Sequence, residues 1–485
     1  MQPTSHPAAR TIDQLPGPRG LPILGNVLEI EGRKLHAILQ RWAAEFGPIY
    51  TVRIAGRQIV VISDAELINL VLRDRPDGYR RRTEMRQVLL ELGIDGLFNA
   101  EGADWRRQRK LAMHALNTNH LRGFFGRLEQ VTARLQRRWE RAARDGGRID
   151  AQRDLMRFTV DVTSGLVLGY DLNTLEQAAD AIQQHLAKVF PAIVRRLLSP
   201  VRYWRYVKLP ADRELDRAVA EVHQLATALI ARGRAQLAKD PNRCARPTNL
   251  LEAIIAAQAA ETGSFSDEEI LGTALTMLLA GEDTTANTIA WVMYFLARHP
   301  EVQAKTRAEV DRVLGSAGRP VDYASTEALR YVEAVAHEAM RLKPVAPFLA
   351  MQANQSVVLG GVQVPAGTDI YLLAGKVATE EKNFADAMAF RPERWLEAQG
   401  HGRSGHETQA FLPFGAGARF CPGRHLAILE IKMVIAMLCR NFEVAPVADA
   451  PPVEEVFSFT MRPENLFVTL RSRSSPGSAT ARDVR

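Results

Sequence analysis

A long apolar run, from Ile270 to about Ala297, sets the strongest limit on how this chain can fold. It follows Ser266-Asp267-Glu268-Glu269, and a Ser with a Glu three residues later is a capping box that starts a helix. The run is long enough to cross a membrane. However, Glu282 and Asp283 lie near its middle, and each charge would cost at least ~2.5 kcal/mol at a bilayer centre. The sequence therefore predicts one long helix buried inside a large folded domain.

A short motif of small and polar residues, Ala280-Gly281-Glu282-Asp283-Thr284-Thr285, occupies the middle of this predicted helix. Small residues allow a ligand to approach the helix, and Thr284 can donate a hydrogen bond to the carbonyl of Ala280 and distort the turn. Taken alone, such a run is more often a cap or a turn. Inside an apolar helix, buried acids need a partner or a function. Asp283 and Thr284 are therefore candidate catalytic residues.

A glycine-containing turn near the C-terminus, Phe414 to Ala427, carries a single cysteine. Cys421 comes just before an apolar helical pattern, where unpaired backbone N–H groups and the helix dipole favour a thiolate. Such a setting lowers the thiol pKa, and the thiolate is the form that binds metal. The commoner role of a lone cysteine is that of a small buried apolar residue. Three glycines let a flat ligand approach the backbone: Gly415, Gly417 and Gly423.

The pattern Phe-x-x-Gly-x-Arg-x-Cys-x-Gly, over Phe414 to Gly423, resembles the haem-binding loop of the haem-thiolate monooxygenases, the cytochrome P450 family. All five fixed positions match. Other family motifs precede it in the expected order: Trp105 with Arg109, Ala280 to Thr285, Glu338 to Arg341, and Pro392 to Arg394. The resemblance covers Pro16 to about Leu470. It implies a mainly α domain with a small β-rich lobe, and haem b between the long central helix and the Cys421 helix.

The resemblance also implies a role for each matched residue. Cys421 would be the proximal thiolate ligand of the iron, and Thr284 with Asp283 would guide protons to bound dioxygen. The positions expected to contact the cofactor are Arg419, Trp105, Arg109, Phe414, Gly415, Gly423, His425 and Ala280. Without the resemblance, Trp105 and Arg109 would be interpreted as part of a solvated basic helix face. Many relatives have a propionate-binding Arg where this chain has Met351, so that contact is either missing or replaced by His425 or a water.

Two further groups are predicted from position within the family fold. Glu338 and Arg341, which alone would indicate a commonplace exposed ion pair, would form a buried structural triad with Arg394. The expected substrate pocket consists of Leu97, Phe98, Leu275, Leu279, Ala280, Val345, Ala346, Phe348, Phe459 and Thr460. This lining is mostly apolar, which favours an apolar substrate. Fatty acids, steroids, terpenoids and polyketides all qualify.

The predicted reaction is hydroxylation or epoxidation with dioxygen. A peroxide-driven or isomerase-type haem-thiolate enzyme is an alternative, although such proteins tend to lack the acid–alcohol pair. A non-catalytic haem carrier or sensor is a second alternative. No flavin or nicotinamide domain follows the haem domain, so electrons are expected from a ferredoxin or flavodoxin-type donor and its NAD(P)H-dependent reductase. The apolar segment from Phe190 to Pro210 is a lid, plain core or a lipid-contacting surface.

The composition of the chain limits its expected partners and its expected cellular compartment. The net charge of +7 is modest for 485 residues, and the basic residues are scattered, which excludes a nucleic-acid-binding pattern. The three cysteines, Cys244, Cys421 and Cys439, are too few for a disulfide framework and indicate a reducing compartment. The polar N-terminus has no apolar anchor, which favours a soluble, bacterial-type, cytoplasmic member of the family.

The expected boundaries are a flexible lead-in over residues 1–15, one haem domain over 16–470, and a disordered Ser/Arg-rich tail over 471–485. Two hairpins are predicted within the domain. The first pairs Tyr50–Ile54 with Gln58–Ile62 across a glycine turn, and the second lies between Val357 and Thr368.

Overall fold

Helices make up most of the fold, and short strands form a smaller lobe. The computed structural model describes residues 9–54, 56–177, 181–199, 201–240, 242–243, 247–260, 266–397 and 407–473. The helices, numbered here along the chain, are α1 Leu35–Phe46, α2 Ala65–Arg73, α3 Thr83–Glu91, α4 Gly102–Ala115, α5 Thr118–Arg144, α6 Ala151–Leu168, α7 Ala181–Leu198, α8 Pro210–Lys239, α9 Leu250–Ala260, α10 Asp267–Arg298, α11 Pro300–Leu314, α12 Tyr323–Glu327, α13 Arg330–Leu342, α14 Ala374–Val377, α15 Arg394–Glu397 and α16 Arg424–Asn441.

The strands are β1 Arg10–Thr11, β2 Ile49–Ile54, β3 Arg57–Ile62, β4 Tyr79–Arg81, β5 Arg148–Asp150, β6 Leu349–Ala353, β7 Val357–Leu359, β8 Val362–Val364, β9 Asp369–Leu372, β10 Phe442–Pro446, β11 Glu454–Ser458, β12 Thr460–Glu464 and β13 Phe467–Ser472. A five-stranded sheet has the order β2-β3-β9-β6-β4. Both predicted hairpins are confirmed, since β2 pairs antiparallel with β3 and β7 pairs antiparallel with β8. A mainly α fold with a small β lobe is therefore confirmed.

The long apolar run forms α10, and the predicted capping box is present at its start. The Ser266 hydroxyl accepts from the backbone N–H of Glu269, and the Glu269 carboxylate accepts from the N–H of Ser266. Helix α10 is buried nearly all round because α6, α13 and α16 pack against it. A Cβ on Gly281 would lie 2.8 Å from the Thr163 hydroxyl of α6, so a larger residue would force Thr163 to move.

Short strands lie near both ends of the described chain. Arg10–Thr11 forms the short strand β1, which pairs in parallel with β8, so ordered packing begins before Pro16. Strand β13 extends to Ser472, which pairs with Phe442 of β10. Most of the expected disordered tail lies outside the described residues, as does Cys244. Cys421 and Cys439 are not joined by a disulfide. In the part of the chain that the structure describes, no helix is both long and apolar enough to cross a membrane.

The segment from Phe190 to Pro210 combines buried and exposed apolar residues. Ile193 and Trp204 are buried and pack with α3 and α8, whereas Tyr206 is 84% exposed. The segment is therefore core on one side and surface on the other.

Candidate functional site

The turn that carries Cys421 is fixed by backbone geometry. The backbone N–H of Cys421 donates to the carbonyl of Phe414, 2.8 Å away, and α16 begins three residues later at Arg424. Gly417 has φ of 70° and a Cβ there would lie 2.3 Å from the carbonyl oxygen of Leu72 at the end of α2. Glycine at this position thus allows the turn to pack directly on the helix backbone.

The pKa of the Cys421 thiol differs from the sequence expectation. Burial raises this pKa, and it outweighs the lowering effects of the Gly423 backbone hydrogen bond and of the charges of Arg109 and Arg424. The backbone hydrogen bond at the helix start lowers the thiol pKa, as the sequence predicts, but removal of the thiol from water has the larger effect. A bound metal ion would reverse this balance, since a coordinating thiol loses its proton.

A cavity of about 340 Å³ joins the Cys421 turn to the middle of α10. Cys421, Phe414, Gly415 and Gly423 line one side of it, and Ala280 lies on the other with Gly281 and Thr284. The wall between these two sides is largely apolar. The turn and the helix motif, 137 positions apart from Thr284 to Cys421, therefore face one space.

The polar motif of α10 has the hydrogen bonds that its composition suggests. The Thr284 hydroxyl donates to the carbonyl of Ala280, at 2.8 Å, as predicted. Asp283 is buried and accepts from the amide of Asn287, at 3.0 Å, and from the hydroxyl of Thr460. Burial raises the pKa of Asp283 against the lowering effect of these bonds. Thr284 lines the cavity, whereas Asp283 lies on the adjacent helix face.

Four arginines gather at one rim of the cavity: Arg75, Arg81, Arg109 and Arg419. The Arg419 guanidinium stacks over the Trp105 ring at 4.6 Å and donates to the carboxylate of Glu101. Burial lowers the pKa of Arg75 to about 10, with a further contribution from the charge of Arg419. Burial also lowers the pKa of Arg81, again assisted by neighbouring arginines. The cluster is therefore crowded with positive charge.

Several nitrogens of this cluster have no hydrogen-bond partner among the described residues: Arg75 Nε and Nη2, Arg109 Nη2 and Arg419 Nε. Buried guanidinium groups are costly to leave unpaired, and carboxylates are their usual partners. Haem carries two propionates, so the unpaired arginines and a thiol across an apolar cavity fit this cofactor. The donor set agrees with haem-thiolate ligation.

His425, one of the expected replacements for the propionate-binding arginine, does not line the cavity. His425 is exposed beside Arg424, whose Nε lies 3.3 Å from its ring, and it is not among the cavity residues. Met351 is buried and lines the cavity, and in the pairing of β4 with β6 it lies opposite Arg81. The cation nearest to Met351 along this sheet is therefore Arg81 rather than His425.

Five of the ten residues predicted to form the substrate pocket line this cavity. Leu97, Phe98, Ala280, Val345 and Ala346 line the cavity. The others do not: Leu275, Leu279, Phe348, Phe459 and Thr460.

The rotational phase of α10 explains why Leu275 and Leu279 do not line the cavity. The cavity face of α10 contains Thr276, Ala280, Thr284 and Thr288, each four residues apart, so Leu275 and Leu279 are turned toward α7 and α8.

Contacts with neighbouring residues explain why Phe348, Phe459 and Thr460 do not line the cavity. Phe348 packs between Tyr371 and Phe457, with ring centroids 5.4 and 5.0 Å away. Phe459 and Thr460 lie at the tip of the β11–β12 hairpin, where Phe459 stacks on Phe190 at 5.1 Å.

The structural triad has the geometry that was predicted from the resemblance. Both carboxylate oxygens of Glu338 accept from Arg341, at 2.8 and 2.9 Å, and one accepts from Arg394 at 3.0 Å. All three side chains are buried. Arg341 also donates to the carbonyls of Ala378 and Ala387, so the triad ties α13 to the segment that leads to the Cys421 turn.

Sequence reasoning missed Arg75 and Arg81, which are half of the arginine cluster. Arg81 belongs to a run of three arginines, Arg80 to Arg82, and nothing in the run indicates which side chain turns inward. The alternation of side chains along a strand would have separated Arg81 from its neighbours, but β4 is only three residues long and has no apolar pattern of its own.

A cysteine turn that faces the middle of a long buried helix, with arginines gathered at one rim of the intervening cavity, defines a protein of the haem-thiolate class. The family model for cytochrome P450 matches residues 15–470. The chain therefore belongs to the cytochrome P450 family and is an oxidoreductase of the monooxygenase type.

Relatives in several kingdoms align with nearly the whole chain. Cyclooctatin synthase of Streptomyces melanosporofaciens is 29% identical over 92% of this chain and 93% of its own length. The chloroplastic protein LUTEIN DEFICIENT 5 of Arabidopsis thaliana is 25% identical over 93% of this chain and 76% of its own length. A self-sufficient cytochrome P450 monooxygenase of Aspergillus niger is 26% identical over 93% of this chain, which spans only 42% of that relative's length. Bacterial, plant and fungal proteins thus all match, so the bacterial type stays a prediction.

Proposed function

We propose that this protein binds haem b through Cys421 and hydroxylates or epoxidises an apolar small molecule, with dioxygen and with electrons from a separate carrier. The observation that carries the proposal is the apolar cavity that brings the Cys421 thiol, the arginine cluster and Thr284 together. The substrate would be of the fatty acid, steroid, terpenoid or polyketide class. One relative is named as the synthase of cyclooctatin, which supports a biosynthetic role.

Different residues of this chain would bind the iron and the propionates of the haem. Cys421 would ligate the iron, and Arg75, Arg109 and Arg419 with Trp105 would hold the propionates. When bound, the haem supplies dioxygen activation and oxygen insertion, for which the thiolate donates electron density. Phe414 would pack beside the thiolate, and the apolar wall would exclude water and orient the substrate.

Proton handling would fall to α10. Thr284 holds its hydroxyl at the cavity surface through the bond to Ala280. Asp283 lies one residue away but is turned from the cavity and held by Asn287 and Thr460. We infer that Asp283 supplies protons to the Thr284 side of the cavity after its side chain leaves Thr460.

The electron donor would be a ferredoxin or flavodoxin-type protein that receives electrons from an NAD(P)H-dependent reductase. It would dock on the side of the Cys421 turn, where Arg424 is exposed. The exposed basic residues of α4, such as Arg106 and Lys110, would attract an acidic partner.

The test is a spin-state titration of the purified ferric protein with panels of fatty acids, steroids, terpenoids and macrolides. A saturable low-spin to high-spin shift with one class would identify the substrate class. Product formation with a surrogate reductase would then establish monooxygenation. A haem-loaded protein that responds to no panel and forms no product would contradict the proposal.

Two variants separate this function from its alternatives. Cys421→Ser should lose the thiolate-type spectrum of the reduced, carbon-monoxide-bound protein. Thr284→Ala should keep that spectrum but release peroxide instead of product, because the hydroxyl that positions protons is gone. Unchanged coupling of electrons to product in Thr284→Ala would contradict the role assigned to Thr284.

A further inference from the structure

A second cavity lies on the opposite face of the α10 motif from the haem cavity. It has a volume of about 160 Å³ and shares no lining residue with the first cavity. Its charged lining residues are Asp150, Arg153, Glu282, Asp283 and Arg462. Asp150 and Arg153 are exposed, so the cavity reaches the surface. A polar cavity of this size holds several water molecules.

Glu282 is the unusual group in this cavity. Its side chain is 1% exposed, and neither carboxylate oxygen has a hydrogen-bond partner among the described residues. The two oxygens of Asp283, by contrast, accept from Asn287 and Thr460. An apolar residue at position 282 would avoid the cost of burying an unpaired acid. A structural role therefore does not account for Glu282.

The position of Glu282 gives it access to both solvent and the catalytic pair. It lines the cavity that reaches the surface, and it precedes Asp283 in the chain and shares that cavity with it. Asp283 is buried, and it lines this cavity and not the haem cavity. A proton carrier between the surface and Asp283 would need this placement.

We propose that Glu282 carries protons from solvent in the second cavity to Asp283, so that the α10 motif contains two proton-carrying acids in series. The inference rests on the proposed function and deepens it. In one cycle the Glu282 carboxyl gives its proton to the Asp283 carboxylate through cavity water. The resulting Glu282 carboxylate then takes a proton from water that exchanges with solvent. No electrons move, and one proton is transferred from solvent to Asp283.

The electrostatics of the cavity agree with a neutral Glu282 that can exchange its proton. Burial, with the adjacent Asp283 charge, raises the pKa of Glu282 well above its ordinary value. Arg462 from β12 and the exposed pair Asp150 and Arg153 from the start of α6 are the other charged groups that face the cavity. Burial therefore favours the neutral form of the Glu282 carboxyl, and the charged groups that line the cavity lie near it.

Glu430 on α16 provides a matched comparison. It is also 1% exposed, burial raises its pKa, and neither oxygen has a partner among the described residues. However, Glu430 lines the haem cavity and not the second cavity. The two acids thus share burial and differ in their access to the cavity that reaches the surface.

The first test is infrared spectroscopy of the full-length, haem-loaded protein. Glu282→Gln should remove one carbonyl band of a neutral carboxylic acid, and Glu430→Gln should remove a different one. In deuterated water the Glu282 band should shift within the mixing time, while the Glu430 band shifts more slowly. Loss of no band in Glu282→Gln, or exchange of the Glu282 band only as slowly as global unfolding, would overturn the proposal.

The second test is the solvent isotope effect on turnover. Glu282→Gln should lower the product-forming rate roughly tenfold or more, since a positioned proton carrier contributes about 10²–10⁴-fold, and it should enlarge the solvent isotope effect. Glu282→Asp should restore part of the rate because it keeps a carboxyl. Equal rates and isotope effects in wild type and Glu282→Gln would contradict the proposal.

The failure of this inference is distinguishable from that of the proposed function. Haem content, the thiolate spectrum and the substrate-induced spin shift of Glu282→Gln should match wild type, because Glu282 does not line the haem cavity. If wild type itself forms no product, the proposed function fails, and the infrared exchange then decides by itself whether Glu282 exchanges protons with solvent.

Discussion

At the scale of single residues, the buried charge of Arg75 affects both the stability of the fold and the binding of haem. Arg75 is 6% exposed, and two of its nitrogens lack partners among the described residues. Its pKa of about 10 lies below the ordinary value because burial and the charge of Arg419 disfavour the charged form. The charged arginine therefore destabilises the folded chain when no anion lies beside it. A propionate would pair with the guanidinium, remove this destabilisation and so favour haem binding.

Replacing Arg75 with Gln should have opposite effects on the haem-free and haem-loaded proteins. Without haem, the variant should be more stable than wild type at pH 7, on the order of 1 kcal/mol, because a buried like-charge neighbour is removed. With haem, the variant should release the cofactor faster to an excess of a scavenging globin. Thermal unfolding of the haem-free protein and the rate of haem transfer measure the two effects.

Arg73→Gln is the matched control, since Arg73 belongs to α2 but is exposed. It should change neither quantity. Equal destabilisation of both forms by Arg75→Gln would mean that Arg75 acts only as a packing residue and would contradict its assignment to a propionate.

At the scale of elements, the β11–β12 hairpin contacts Asp283 of α10, although its residues Phe459 and Thr460 are predicted to line the substrate pocket. Its tip residue Phe459 has φ of 82°, a conformation that is strained for a side chain other than glycine. This turn brings the Thr460 hydroxyl to Asp283 and the Phe459 ring between Phe98 and Phe190. The hairpin thus contacts Phe98, which lines the cavity, and the face of α10 that carries Asp283.

Glu455 fixes this hairpin to the rest of the molecule. Its carboxylate lies 3.4 Å from His36 Nε2 on α1 and also pairs with Lys343 after α13. Burial pushes its pKa up, but these two partners outweigh burial and lower the pKa to about 2. Because the folded pKa lies below the unfolded one, the stabilisation is complete above the unfolded value and is lost as pH falls through about 2.

Replacing Glu455 with Gln should therefore destabilise the protein above about pH 5, by up to about 1 kcal/mol, because the side chain is 37% exposed and its pairs are screened. The difference from wild type should shrink as pH falls from about 4.3 toward about 2. Urea midpoints at several pH values measure this. Glu454→Gln, at the exposed neighbouring position, should show no such trend, and a pH-independent loss in Glu455→Gln would exclude the ion-pair explanation.

At the scale of the whole molecule, the Glu338 triad joins the helical body to the segment that precedes the Cys421 turn. Arg341 and Arg394 together donate to five backbone carbonyls between Ala378 and Ala389. One carboxylate therefore balances two buried guanidinium groups that hold a long irregular segment in place.

Replacing Glu338 with Gln should destabilise the protein by about 3–5 kcal/mol, because two buried cations would lose their anion. Haem retention should fall along with stability. The control is Glu31→Gln, which breaks an i,i+3 ion pair with Lys34 in which both side chains are more than half exposed. That change should cost at most a few tenths of a kcal/mol. Denaturant unfolding and haem content measure both variants, and equal effects would show that the triad is not a central structural element.

The sequence by itself determined the local features whose signals are local. The capping box at Ser266, the bond from Thr284 to Ala280, the two hairpins and the glycine-dependent Cys421 turn each depend on residues a few positions apart. The resemblance to a known family added the triad, whose members are 56 positions apart and could not be joined by periodicity alone.

Tertiary structure alone decided which charges are buried together. Arg75 and Arg81 reach the cavity because the end of α2 packs on the Cys421 turn and strand β4 pairs with β6, and no local pattern marks these residues. The phase of α10 likewise turned Leu275 and Leu279 away from the cavity and Glu282 toward a second one. These outcomes depend on long-range packing, because burial and charge crowding arise only when distant segments meet.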